Sequence, residues 1–143
     1  MHDLTNPGDV PAPPGGWYSH AAGVPMGSRT LVFVSGQIAL ADDGTVTSPG
    51  DMAGQAERVF ELLERILADR GATFDNVVNI RTYVTDMAQL PDYGRVRARY
   101  ITGRPPTSTT VQVVRLFRPE AVVEVEVVAA IGQPAGQSNT QLR

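Results

Sequence analysis

Two glutamates, Glu124 and Glu126, alternate with valines in VVEVEVVAA and so project from one side of a strand. Such a pair is either a solvated surface or a means of activating water, with one carboxylate held at the edge of a cleft. Spacing alone leaves both readings open. Upstream, Ser35-Gly36-Gln37 places a hydroxyl and a glycine amide at the end of an apolar run. Exposed backbone N–H groups of this kind can hold an anion or an oxyanion. A third candidate is the hydroxyl run Thr107, Ser108, Thr109 and Thr110, which follows a Pro-Pro pair in RPPTSTTVQVVRL. Threonine suits a strand, but four hydroxyls in a row also make a lip that could line a site. His20, in WYSHA, is one of two histidines in the chain. A lone histidine more often packs than catalyses, and with no G-x-S-x-G elbow a serine-hydrolase triad has little support.

Composition closes off other chemistries. The chain has no cysteine, which removes thiol nucleophiles, disulfides and thiolate metal sites. All 12 basic residues are arginine, so no lysine can form a Schiff base. Two histidines make a multi-histidine metal centre untenable. A net charge of −3 argues against general nucleic-acid binding, which calls for a basic face. Arg95, Arg97, Arg99 and Arg104 form a local cluster, read here as a solvated helix face pairing with acids elsewhere. No run approaches the ~20 apolar residues of a membrane span, and MHDLTNPGDVPAPPGG lacks the apolar core of a signal peptide. The expectation is a cytoplasmic protein.

The elements that must position these residues follow from periodicity. Residues 1–16, rich in proline and glycine, read as a flexible arm, and residues 133–143 as a flexible tail, leaving one domain over 17–132. Arg29–Leu40 is a strand, with Leu31, Phe33 and Ser35 on one face and Val32 and Val34 on the other. Gly36 interrupts it, as a bulge does. After a turn at Asp43-Gly44, Ser48, Pro49 and Asp51 mark a helix start with a capping-box-like arrangement. Met52, Ala56, Val59, Leu63 and Ile66 recur at helical spacing, and Gly71 stands just past the end. Asn76–Met87 reads as a strand, and a shorter helix opens at Pro91 and stops at Gly103–Pro106. Two strands close the domain, Ser108–Leu116 and Val122–Ile131, joined by a turn at Phe117–Glu120. These elements predict an α+β fold, a mixed sheet with both helices on one face. The other face needs cover, which oligomerisation commonly supplies in a small chain.

In their order, WYSHA, LVFVSGQIAL, GDMAGQAE, NVVNIRTYVTDM, PPTSTTVQVVRL and VVEVEVVAA resemble the Rid family, also called YjgF and historically labelled endoribonuclease L-PSP. The resemblance spans nearly all of 17–131. It implies a chorismate-mutase-like α+β domain in a homotrimer, with clefts at the subunit interfaces. It also implies hydrolysis of reactive enamines and imines, such as 2-aminoacrylate or 2-iminobutyrate, to 2-keto acids and ammonia without a cofactor. Carried over by motif, the family's tyrosine is Tyr18, its Ser-Gly pair Ser35-Gly36, and its glutamate Glu124, which leaves Glu126 a surface partner. The family's carboxylate-binding arginine does not carry over: its place is held by Ser108, the position two residues later is Thr110, and a helix asparagine aligns with Gly94. Leaving a buried charge without its partner costs roughly 3–5 kcal/mol, and one serine hydroxyl cannot substitute for a bidentate guanidinium. Arg104 and Arg115 flank the strand as candidate replacements. The resemblance therefore predicts a divergent enzyme acting on a small enamine, imine or related conjugated intermediate, neutral or anchored differently from a standard 2-imino acid. In that enzyme Glu124 would activate water, Tyr18 and the Ser108, Thr109 and Thr110 hydroxyls would orient the substrate, and the Gly36 amide would stabilise negative charge. The alternative is a non-catalytic trimer that binds a small metabolite or partner. Ribonuclease activity has only the historical label behind it.

Overall fold

The computed structural model describes residues 2–132, so the tail expected over 133–143 lies outside the described residues. A six-stranded mixed sheet carries two α-helices, as the α+β reading requires. The strands are β1 (Asp3–Thr5), β2 (Ala21–Met26), β3 (Arg29–Gln37), β4 (Val77–Val84), β5 (Thr107–Gln112) and β6 (Val123–Ile131). The helices are α1 (Met52–Asp69) and α2 (Leu90–Tyr100). Across the sheet the order is β1-β2-β3-β6-β4-β5, antiparallel except for the β4–β5 pair. That pair is parallel because α2 is the crossover between its strands.

The apolar stripe of α1 packs on the sheet: Met52, Ala56, Val59, Leu63 and Ile66 are all buried. Val32, Val34, Val123, Val125 and Val127 meet it from the alternate positions of β3 and β6. Gly71, at φ +73°, ends α1 in a paired turn, its N–H donating to Ala68 O and that of Ala72 to Leu67 O. The helix start differs from expectation. Ser48 has φ +46° and accepts the Asp51 N–H in a turn, so α1 begins at Met52 and no side chain caps it. Gln55 supplies that junction instead. Wholly buried, its amide donates to Ser48 O and Glu120 O and accepts from the Val122 N–H.

Two further expectations are corrected. The arm read over 1–16 contributes β1, which pairs with β2 from Asp3↔Gly23 to Thr5↔Ala21. Arg70, from the end of α1, fills the space over Gly23 and bonds Asp3 and Thr5, which explains why a short polar segment holds a sheet edge. The closing strands are not neighbours either: β4 lies between β5 and β6. Beyond Gln112 the chain leaves the sheet, and Leu116 joins Ile38, Leu40 and Ala121 in a small second cluster.

The face turned away from the helices is open in the monomer. Leu4, Ala22, Phe33 and Val128 run across it as one apolar row, set by the strand register. Phe33 is 45% exposed there. Among the described residues no helix is long and apolar enough to cross a membrane, and no three His, Asp or Glu side chains gather as a metal site.

Candidate active site

Where β3 ends, its pairing with β6 slips between Val34 and Gln37, and Ser35-Gly36 forms the bulge that the sequence pattern suggested. A cavity of about 210 Å³ opens beside it, lined by Tyr18, His20, Ser35, Gly36, Gln37 and Glu124 and closed by Pro11 and Phe117. Glu124 enters because it pairs with Tyr83 on the open side of β6, while Val123 and Val125 turn into the core. A Cβ on Gly36 would overlap the carboxylate of Glu124, so the carboxylate can sit where it does only over a residue without a side chain.

The two carboxylates expected on one face are separated by environment. Glu126 accepts a 2.5 Å hydrogen bond from the Tyr83 hydroxyl. The Glu124 carboxyl is pushed up from the usual carboxylate range, first by burial and then by the charge of Glu126, with no hydrogen bond to offset it. A carboxyl so placed holds and releases a proton closer to neutral pH than a surface glutamate does. Tyr18 is raised by burial and by the neighbouring Glu124 charge, so it faces the cavity as a neutral hydroxyl.

The remaining walls are fixed by hydrogen bonds. Ser35 Oγ donates to Ser19 O at 2.6 Å, and its N–H donates to His20 O, which ties β3 to the segment carrying Tyr18. Because the Ser35 proton is engaged, its oxygen can offer a ligand only a lone pair. His20 is buried, and burial lowers its pKa, so the ring is neutral. Its Nε2–H donates to Pro11 O at 2.8 Å and its backbone N–H donates to Asn6 Oδ1. It therefore packs, as a lone histidine usually does, and holds the N-terminal arm over the cavity. Gln37 is set by a bond from its amide to Ser35 O. Pro11, Gln37 and Phe117 were missed as site residues, although Gln37 adjoins the Ser-Gly pair and Phe117 is an exposed aromatic in a turn.

The hydroxyl run does not line this cavity. β5 is separated from β6 by β4, and two strand spacings amount to about 10 Å. The register also divides the run. Ser108 and Thr110 pair with Ile80 and Thr82 and face the helix side, whereas Thr109 pairs with Arg81 and faces the open side. Within one chain the run lies apart from Glu124, and the expectation that it lines a cleft at a subunit interface concerns a second copy. Arg115 Nε donates to Leu116 O at 3.5 Å.

The fold and the site together define a small α+β domain with a desolvated carboxyl and a neutral tyrosine at a sheet bulge. Comparison makes the assignment specific. Residues 10–131 match the family described as endoribonuclease L-PSP, and the chain belongs to that family, Rid or YjgF. It is 40% identical over 114 residues to protein DfrA of Myxococcus xanthus, covering 80% of this chain and 85% of that protein. Over 101 residues it is 32% identical to the 3-aminoacrylate deaminase RutC of Acinetobacter baylyi, covering 71% of this chain and 79% of that one. The crystal structure of RidA from an Antarctic Psychrobacter superposes with a TM-score of 0.79 at 27% identity, covering 90% of this chain and 99% of that one.

Proposed function

We propose that the protein hydrolyses a small reactive enamine or imine to a carbonyl compound and ammonia, with Glu124 as the proton-transfer group. The observation that carries this reading is the Glu124 carboxyl, desolvated over Gly36 and facing the neutral Tyr18 hydroxyl across the cavity. Protonated Glu124 delivers a proton to the enamine carbon or imine nitrogen, giving an iminium electrophile. The resulting carboxylate then takes a proton from the water that adds to the C=N carbon. Transfer of that proton to nitrogen lets ammonia leave, and the carboxylate takes the carbinol O–H proton as the carbonyl forms, so Glu124 ends protonated as it began, one water is consumed and no redox step occurs. Tyr18 orients the substrate by donating its hydroxyl proton, and the Gly36 N–H stabilises negative charge. Similarity to an enzyme named 3-aminoacrylate deaminase, whose substrate is an enamine, supports the reaction class.

The working form is a homotrimer in which the apolar row around Phe33 is buried and β5 of one chain completes the Glu124 cavity of the next. The exposed row supports this, as does a hydroxyl run that reaches no cavity of its own chain. RNA cleavage is disfavoured by the acidic balance of the chain. The test is hydrolysis of freshly generated 2-aminoacrylate or 2-iminobutyrate against the spontaneous rate. Acceleration by wild type that Glu124→Gln abolishes is the expected result. Ligand binding without acceleration by either protein would instead favour a metabolite-binding trimer.

A further inference from the structure

The cavity beside Glu124 has two ends of different chemistry, and the proposed reaction uses only one of them. The end of β3 and the chain beyond it run along the cavity, and the lining changes from Ser35, Gly36 and Gln37 to Ile38 and Leu40. Leu62 of α1 adds a third aliphatic wall. All three aliphatic side chains are buried. The wall is also held in place: Leu40 N–H donates to Ile38 O at 2.9 Å, and Arg58 Nε of α1 donates to Leu40 O at 2.7 Å. Ile38 and Leu40 pack on Leu116 and Ala121 behind it. Phe117 closes the cavity and is 53% exposed, with the Arg118 guanidinium 5.0 Å from its ring centroid, a cation–π contact.

Size decides what the aliphatic end can hold. An apolar cavity of about 150 Å³ lined by leucine, isoleucine and phenylalanine stays dry and accepts benzene. The cavity here is about 210 Å³. A three- or four-carbon imine engaged by Glu124 and Tyr18 occupies the polar end and leaves the aliphatic walls uncovered. Water is a poor replacement, because it needs about two to four polar partners and the side chains of Ile38, Leu40 and Leu62 offer none. Walls that face empty space forfeit their dispersion contacts. A substrate long enough to cover them gains binding that a shorter one cannot.

We propose that the substrate carries a ring-sized apolar substituent, an aryl group, seated against Ile38, Leu40 and Leu62 beneath Phe117, and that Leu40 and Phe117 set this preference. The proposal rests on the hydrolase reading of the polar end and names the substituent that reading leaves open.

The test compares imines freshly generated from phenylalanine and from alanine by an amino-acid oxidase, each rate taken against the spontaneous one. The two share a head group, so the ratio of their kcat/KM values reads the substituent alone. Wild type favours the phenyl compound by about 30-fold or more, the worth of burying a ring in place of a methyl group. In Leu40→Phe the added ring takes the seat, and the preference falls by about tenfold or more. Phe117→Ala, at a half-exposed position, removes one wall without touching the core and lowers the preference as well. A merely structural role for either residue would lower both rates alike and leave the ratio unmoved. A wild-type ratio near one, or a ratio that moves by less than about threefold in both variants, overturns the proposal. Benzyl alcohol, titrated calorimetrically into the full-length protein, gives a readout that needs no turnover. Wild type binds it and Leu40→Phe does not; absence of wild-type binding at millimolar ligand overturns the proposal. The two readings fail separately. Leu40-dependent binding of benzyl alcohol without acceleration of either imine removes the hydrolase and keeps the aryl seat, whereas equal acceleration of both imines removes the seat alone.

Discussion

Glu124 is the residue at which stability and chemistry pull apart. Its carboxyl titrates above the usual range because burial disfavours the charged form. A raised folded pKa contributes stability that is present below the unfolded value of 4.5 and is lost as pH rises through the folded one. At neutral pH the ionised group is therefore a net cost to the fold. Glu124→Gln should raise the thermal midpoint at pH 7 to 8, and the gain should vanish as pH falls below 4.5, where the wild-type carboxyl is itself neutral. The same substitution should lower turnover by about 10²- to 10⁴-fold, the range for removing a general acid–base group. Calorimetric melting across pH, with initial rates on the same samples, reads both effects. An unchanged midpoint at every pH would mean the carboxyl is not desolvated. Gly36 is coupled to it. In Gly36→Ala the new methyl meets only the flexible end of Glu124, so the fold should survive while the carboxyl is displaced. A misplacement on the order of 1 Å can lower a rate by about 100-fold, so kcat/KM should fall to that extent with little change in the melting midpoint. A large drop in that midpoint with normal turnover would refute this account of the glycine.

At the scale of elements, the regular parts were legible and the junctions were not. The α1 stripe, the two faces of β3 and the Gly36 bulge follow from periodicity, which reports one residue's relation to its near neighbours. The start of α1 escaped it because Ser48, Pro49 and Asp51 serve a turn as well as they serve a cap, and Gln55 holds the junction through partners far away in sequence. The arm escaped because β1 is held by Arg70, a tertiary contact that no local pattern signals. Gln55 gives this a measurable form. Gln55→Leu keeps the volume but leaves Glu120 O, Ser48 O and the Val122 N–H without their partner. A buried group left unsatisfied costs about 1–3 kcal/mol, so the variant should lose about 2–4 kcal/mol in urea unfolding with an unchanged slope. A loss below about 1 kcal/mol would show that water replaces the amide.

The whole molecule explains why the site was only half visible in the sequence. Tyr18, Ser35, Gly36 and Glu124 converge because β2, β3 and β6 are adjacent in the sheet. Ser108, Thr109 and Thr110 do not, because the α2 crossover sets β5 parallel to β4 and so inserts β4 between the two strands that end the chain. Nothing within one chain can bring the hydroxyl run to Glu124; a second copy can. The open face carries Leu4, Ala22, Phe33 and Val128 in a row, and an apolar row exposed at its centre favours association. In the proposed trimer, Phe33→Glu places a charge at a buried contact in every subunit. Because Phe33 is 45% exposed in the monomer and turned away from the helices, the substitution should spare the fold. Sedimentation velocity should then show a folded monomer with native circular dichroism. Turnover should fall with assembly. An assembled variant would move the interface elsewhere, while a monomer with full activity would mean that Glu124 works without β5 of another chain.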